Sequence, residues 1–183
     1  MEPEAGTEQN QWCRTTFGDG VKTSFTWTIE NFKNRKEKFN QPILSSIISV
    51  TDSSDKRLTK WCIEVYPKGS LTVSGMQYAN VGVFLRNKNG FKSTASFVFW
   101  ILDENAKKNN VKVVGQGGSN EITRGSSLGI GDFIKQSDLT DSLLPGGNLT
   151  LVFEITVYFE GKTLSGFKDL DKNNFLRQDQ IFT

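Results

Sequence analysis

The sequence predicts an all-β fold: an antiparallel sandwich of seven or eight strands with one or two short helical turns. Three observations carry that expectation. Apolar residues alternate with polar ones at period two in several short runs, the pattern of half-buried strands. Glycine, proline and asparagine clusters punctuate those runs at strand-like spacing. No long stretch shows the 3.6-residue periodicity of an amphipathic helix. The 183 residues are enough to bury one sizeable core without disulfides or metals.

In chain order, residues 1–20 read as a polar tail in which Trp12 is the only strong anchor. Phe25, Trp27 and Ile29 then alternate with Thr26 and Thr28, giving the first strand. Trp61, Ile63 and Val65 alternate with Cys62 and Glu64, and Val81, Val83 and Leu85 follow the same rule. Phe97, Phe99 and Ile101 line one face of the next strand. Its other face, Val98, Trp100 and Leu102, is apolar too, which predicts a central strand covered on both sides. Shorter strands are expected near Val111 to Val114 and Asn120 to Thr123. The clearest one runs from Leu149 to Phe159, with Leu149, Leu151, Phe153, Ile155, Val157 and Phe159 on one face. Turns fall at Pro67-Lys68-Gly69, Asn89-Gly90, Gly115 to Gly118 and Pro145-Gly146-Gly147. Asp132 is placed to N-cap a helical turn at Phe133-Ile134-Lys135, and Asp138 to Leu144 reads as a second turn. After Glu160 the pattern decays, so residues 161–183 read as a linker or lead-in, leaving 21–160 as the domain. Trp27, Trp61 and Phe99 are the expected inward bridges between sheets, each contributing about 2–3 kcal/mol by burial.

The composition excludes much chemistry. There is no histidine, which removes Ser-His-Asp and Cys-His catalysis and zinc sites built on His. The only cysteines are Cys13 and Cys62, too few for a four-thiolate site; they form either one bridge or two reduced thiols. Twenty-two Lys and Arg against 20 Asp and Glu form no basic stripe, so neither nucleic acid nor membrane is an expected partner. The densest basic run, Lys33 to Lys38, is interrupted by Glu37 and reads as a solvated loop. The N-terminus is polar and acidic with no apolar signal region. The apolar run Ala95 to Leu102 is far shorter than the roughly 20 residues that span a bilayer. The expected location is therefore the nucleus, the cytoplasm or both. In that setting the sequon Asn148-Leu149-Thr150 reads as the start of a strand.

Three apparent motifs fail when their full spacing is checked. Gly161-Lys162-Thr163 resembles the end of a phosphate loop, but the required upstream glycine is Thr156. Asp169, Asp171 and Asn173 imitate a calcium loop, yet its turn glycine is Asn174 and its bidentate glutamate is Gln180. Gly115, Gly117 and Gly118 read as a plain loop, and Asp103-Glu104 as a solvated turn. No catalytic constellation is assembled, so the chain is expected to be a non-enzymatic binder without cofactor or metal.

Several segments resemble the MATH (meprin and TRAF homology) domain, a TRAF-like sandwich, most closely its BTB-MATH or speckle-type POZ protein group. They are Phe25-Thr26-Trp27-Thr28-Ile29-Glu30-Asn31-Phe32, then Lys60-Trp61-Cys62-Ile63-Glu64-Val65 with Pro67-Lys68-Gly69, then Ala95-Ser96-Phe97-Val98-Phe99. Gly129, Phe133-Ile134 and Leu143-Leu144-Pro145 leading into Leu149-Thr150-Leu151 complete a likeness covering about residues 12–160. The resemblance implies a domain that binds short linear peptides of client proteins, laid extended in a groove. It also implies a substrate-recognition role in a cullin-3 ubiquitin ligase, through a BTB domain not in this chain. A stand-alone interaction domain is the alternative. A TRAF-like receptor-tail binder would carry a preceding coiled coil, and residues 1–20 show no heptads. A secreted carbohydrate-binding sandwich would need a signal peptide.

Transferred onto this sequence, the groove falls on Gly82, Phe97, Asn120, Ser126, Ser127, Leu128, Gly129 and Ile130. Gly82 and Asn120 stand where the family has tyrosines, and Ser126 to Ile130 where it has Lys-Asp-Trp-Gly-Phe. These differences imply a wider, less charged groove, in which a bulky apolar peptide residue fills the space above Gly82 against Phe97, Leu128 and Ile130. Trp100 either packs under the tail around Trp12 or is an exposed aromatic. Lacking histidine, such a groove should bind nearly equally between about pH 6 and 8. Titrating the affinity of a peptide free of titrating groups checks this, and a change beyond about threefold contradicts it.

Overall fold

A computed structural model describes residues 10–15, 20–52, 57–71, 75, 77–115, 120–159 and 163–168. Two units are present: residues 19–159, and the segments 1–18 with 160–183. In chain order the strands are β1 (Asn10–Thr15), β2 (Val21–Ile29), β3 (Ile43–Leu44), β4 (Ile48–Thr51) and β5 (Leu58–Tyr66). They continue with β6 (Ser70–Leu71), β7 (Gln77–Tyr78), β8 (Val81–Asn87), β9 (Ser93–Leu102) and β10 (Lys108–Val114). The last are β11 (Asn120–Ile122), β12 (Ser127–Ile134), β13 (Leu149–Tyr158) and β14 (Thr163–Lys168).

Strands β1 and β14 pair with each other, from Asn10 opposite Lys168 to Thr15 opposite Thr163. These stretches were expected as tail and linker. Neither announces itself, because TLSGFK spaces its two large apolar residues three apart rather than two.

The other unit is the sandwich. One antiparallel sheet runs β10–β9–β13–β2, with β11 continuing the β10 edge of β9. The second runs β12–β8–β5–β3, with β4 continuing the β3 edge of β5. Counting the two interrupted edges once each gives four strand positions per sheet. The small β6–β7 ladder is a separate two-stranded sheet.

Paired residues in antiparallel strands share a face, so the register identifies the inner surfaces. In the first sheet Phe99 lies between Phe153 and Lys112 of β10, and Phe97 between Ile155 and Val114. In the second, Ile63 is opposite Leu85 and Val65 opposite Val83. Except for Lys112 and Val114, these residues are buried, as are Trp61, Ile101, Leu151 and Phe133. Phe99 stacks on Phe97 with centroids 5.7 Å apart and on Phe153 at 5.5 Å. Its ring also meets Phe133 of the opposite sheet at 5.0 Å, within the range where aromatic pairs attract. Trp61 and Phe99 are thus the expected inward bridges. Trp27 is only half-buried, because β2 is an edge strand that packs against the core from its margin.

β9 is central, as its two apolar faces predict. Trp100, on its outer face, is only 5% exposed, with the Lys108 ammonium 3.9 Å from its ring centroid. It is therefore not an open aromatic platform. The alternative, packing under the tail around Trp12, concerns side chains outside the described residues. Cys62 is a buried free thiol whose Sγ donates to the Ser45 carbonyl at 3.4 Å.

The helical turns differ from expectation. Asp132 starts no helix: β12 continues through Ile134, because Phe133 is drawn inward against Phe99. Residues 138–144 form turns closed on the Thr140 carbonyl rather than a helix. The 3₁₀ turns lie instead at Phe32–Asn34, Gln136–Asp138 and Pro145–Gly147. Asp103 ends β9 as expected. Its Oδ1 accepts the backbone N–H groups of Asn105 and Lys107, and these bonds, the one from Lys107 foremost, lower its pKa. It organises a turn.

The β3/β4 edge is broken at Ser45. Its hydroxyl oxygen accepts the Ile63 N–H at 2.9 Å, in the place a strand carbonyl would take. The chain then leaves the ladder until Ile48 pairs with Trp61.

The core geometry ranks two substitutions. Phe99→Ala should cost about 3–5 kcal/mol, since the ring serves both sheets. Val111→Ala, at a half-exposed β10 position, should stay within about 0.5 kcal/mol. Urea denaturation checks the order; equal losses would contradict it.

Candidate functional site

The sequence Ser127-Leu-Gly-Ile-Gly-Asp-Phe-Ile forms β12, the end strand of its sheet, which pairs with β8 alone among the described residues. Its two halves differ. The later half is tied down: Phe133 is in the core, and its carbonyl accepts the Asn110 side-chain N–H at 2.6 Å. The ladder shifts register between Ile130 and Ile134. Only the first half, Ser127 to Ile130, keeps a regular edge. The Ser126 carbonyl accepts the Asn87 N–H at 3.0 Å. By the alternation of an antiparallel ladder, Leu128 and Ile130 bond back to β8. The backbone groups of Ser127 and Gly129 therefore point away from the sheet.

The two faces of this half-edge have different chemistry. Leu128 lies opposite Leu85 and Ile130 opposite Val83, so both point toward the sandwich interior while staying half-exposed. Ser127 lies opposite Arg86 and Gly129 opposite Phe84, on the outer face. There the Ser127 hydroxyl donates to Glu64 Oε2 at 2.7 Å, and Arg86 Nη1 is 2.9 Å from Oε1. The Tyr66 hydroxyl also reaches Oε2, at 3.5 Å. Glu64 is 1% exposed, so its charge is held by Arg86 rather than by water. Burial, and then the negative Glu64, raise the Tyr66 phenol above its ordinary range, keeping it a neutral donor. Tyr66 and Phe84 meet edge to face at 5.5 Å and form the aromatic floor beside this cluster.

The residues expected to form one groove divide between surfaces. Ser126, Ser127, Leu128, Gly129 and Ile130 are contiguous along the open half of β12. Phe97 is 1% exposed and stacked on Phe99, so it supports the core and lines no surface. Asn120 belongs to β11 of the other sheet, opposite Ala95. Gly82 faces outward opposite Tyr66, the reverse of Leu128 and Ile130. The hole expected above Gly82 is filled. A Cβ there would lie 3.1 Å from Phe84 Cε2 and 3.2 Å from Ser70 Oγ. The pocket of Gly82, Phe97, Leu128 and Ile130 thus does not form.

Glu64, Tyr66, Phe84 and Arg86 are the site residues that sequence reasoning missed. One signal was available: Glu64 is the sole carboxylate within the strand Trp61-Cys62-Ile63-Glu64-Val65, where burial requires a paired cation. Among the described residues no cluster of three or more metal-ligating side chains occurs.

Gly129 is demanded by packing. A Cβ there would collide with the Val83 carbonyl and the Phe84 backbone, neither of which can swing aside. Gly129→Ala should therefore destabilise by about 1–3 kcal/mol. Gly90→Ala, with open space around its Cβ position, should change stability by less than about 0.5 kcal/mol. Urea midpoints compare the two, and a neutral Gly129→Ala would refute the close approach. In comparison with known families, the model of the MATH domain matches residues 24–155, more than half of the chain.

Proposed function

The chain belongs to the MATH-domain family of protein-interaction domains, and on that premise we propose that it binds short extended segments of client proteins along Ser127–Ile130. The open half-edge of β12 carries this reading. It offers backbone groups at Ser127 and Gly129 to an added strand, half-exposed Leu128 and Ile130 on one face, and the Ser127–Glu64–Arg86 cluster on the other. A peptide paired there would place alternate side chains on the two faces. One set meets the aliphatic pair, and the other meets hydroxyl and guanidinium groups.

We further propose the finer role implied by the BTB-MATH resemblance. The domain selects clients for a cullin-3 ubiquitin ligase, engaged through a BTB domain outside these residues, in the nucleus or cytoplasm. A stand-alone interaction domain would use the same edge without delivering clients. Phe97 is a poor probe of either reading, since its truncation would disturb the core.

Leu128→Asp places a charge on the apolar face of the edge and should weaken peptides selected by the wild-type chain from a random display library at least about tenfold. Val113→Asp, at an exposed position of β10, should retain them. Full retention by Leu128→Asp would place binding elsewhere. Leu128-dependent ubiquitination of a bound client by a cullin-3 assembly supports the ligase role, and binding without modification supports the stand-alone domain.

A further inference from the structure

At the start of β12 a hollow of about 280 Å³ is lined by Arg86, Asn87, Lys88, Asn89, Arg124 and Gly125. We propose that it is an anion subsite, which takes an acidic side chain at one end of the client peptide. This rests on the strand-addition reading above. Three of the six lining residues are cations, and none is a carboxylate. Glu64, the carboxylate that pairs with Arg86, is already held by Arg86 Nη1, Ser127 and Tyr66. It offsets one positive charge and leaves those of Lys88 and Arg124. Lys60, whose carbonyl accepts the Lys88 N–H, adds a further exposed cation beside them. Arg86 Nε is buried and has no partner among the described residues, so this guanidinium keeps an unsatisfied donor while lining the hollow.

The two asparagines make the frame. Asn87 Nδ2 donates to the carbonyls of Ile122 and Phe91 at 2.8 and 3.0 Å, and its Oδ1 accepts the Asn89 N–H at 2.8 Å. Asn89 Oδ1 accepts the Lys60 N–H at 2.6 Å, and its Nδ2 donates to Ser93 Oγ. The turn carrying Arg124 is fastened to the same frame. The Gly125 N–H donates to the Asn87 carbonyl, and Gly125 takes the positive φ of 72° that closes the turn. Both asparagines are spent on structure, and the cations project from backbone that is already fixed. Little ordering remains to be done when an anion arrives.

Position relates the subsite to the groove. Arg86 is directly opposite Ser127, the first residue of the open half-edge. A strand added along Ser127–Ile130 has one end beside this hollow. The residue at that end meets guanidinium and ammonium groups that suit carboxylate or phosphate oxygens, whereas residues farther along meet Leu128 and Ile130. The selected ligand class is thus an extended peptide with apolar residues and a terminal acid, either Asp or Glu or a phosphorylated serine.

The test uses the full chain and a degenerate octapeptide array in which one position at a time is fixed as Asp, phosphoserine, Asn or Lys. The wild-type chain should favour Asp or phosphoserine over Asn at one end position by about three- to tenfold, and the two arms show which anion is preferred. The Lys88→Glu/Arg124→Glu double variant changes exposed residues and should keep the wild-type melting temperature. It should retain the apolar preferences while losing the acid preference or turning it toward Lys. A wild-type chain that binds without acid preference, or a double variant that keeps it, overturns the subsite and leaves strand addition standing. Absence of any peptide binding overturns both.

Discussion

The ring of Phe99 meets three others at once: Phe97 on its own strand, Phe153 on the neighbouring strand, and Phe133 from the opposite sheet. Sheets stacked face to face sit about 10 Å apart, a gap that one large side chain cannot fill alone. Rings contributed from both sides close it. Since Phe133 is the inward anchor of β12, this contact also sets where the candidate site strand lies. Its pull turns what the sequence offered as a helix cap into continuous strand. It leaves Ser127–Ile130 as the part of β12 that Asn110 does not hold and whose side chains stay half-exposed.

Much of the fold could be read in advance because burial on one face imposes period two. The runs at Trp61–Val65, Val81–Leu85 and Leu149–Phe159 have their alternate residues in the core, and the doubly apolar Phe97–Leu102 is a central strand. What escaped notice lacks that imprint. β14 has no alternation, and the fate of Phe133 depends on a ring far away in sequence. The candidate site was legible only in part, for a similar reason. Ser126–Ile130 are contiguous, so one motif locates them. Gly82 was assigned to the wrong neighbours because facing depends on register, and a one-residue change of register reverses it.

The two faces of the half-edge depend on each other through β8. Phe84 and Arg86 point outward between β5 and β12, while Val83 and Leu85 point inward beneath Ile130 and Leu128. The aliphatic wall and the polar wall are therefore alternate residues of one strand, and their spacing is fixed by the pleat. The buried Glu64 orients this arrangement. By engaging Arg86, Ser127 and Tyr66 together, it ties one residue of β8 and one of β12 to the centre of the sheet.

An edge that accepts a foreign strand can equally accept a second copy of itself. The opposite margin of this sheet limits how far that could go. At Ser45 a side-chain oxygen occupies the position of a backbone carbonyl, so the margin consists of a two-residue and a four-residue piece separated by a detour. Leu44 and Ile47 are exposed there, which on an unbroken strand would invite stacking into fibrils. With the ladder interrupted after Ser45, this margin offers no long continuous partner for the open half of β12. The serine thus blunts this margin of the sheet as a template for strand addition.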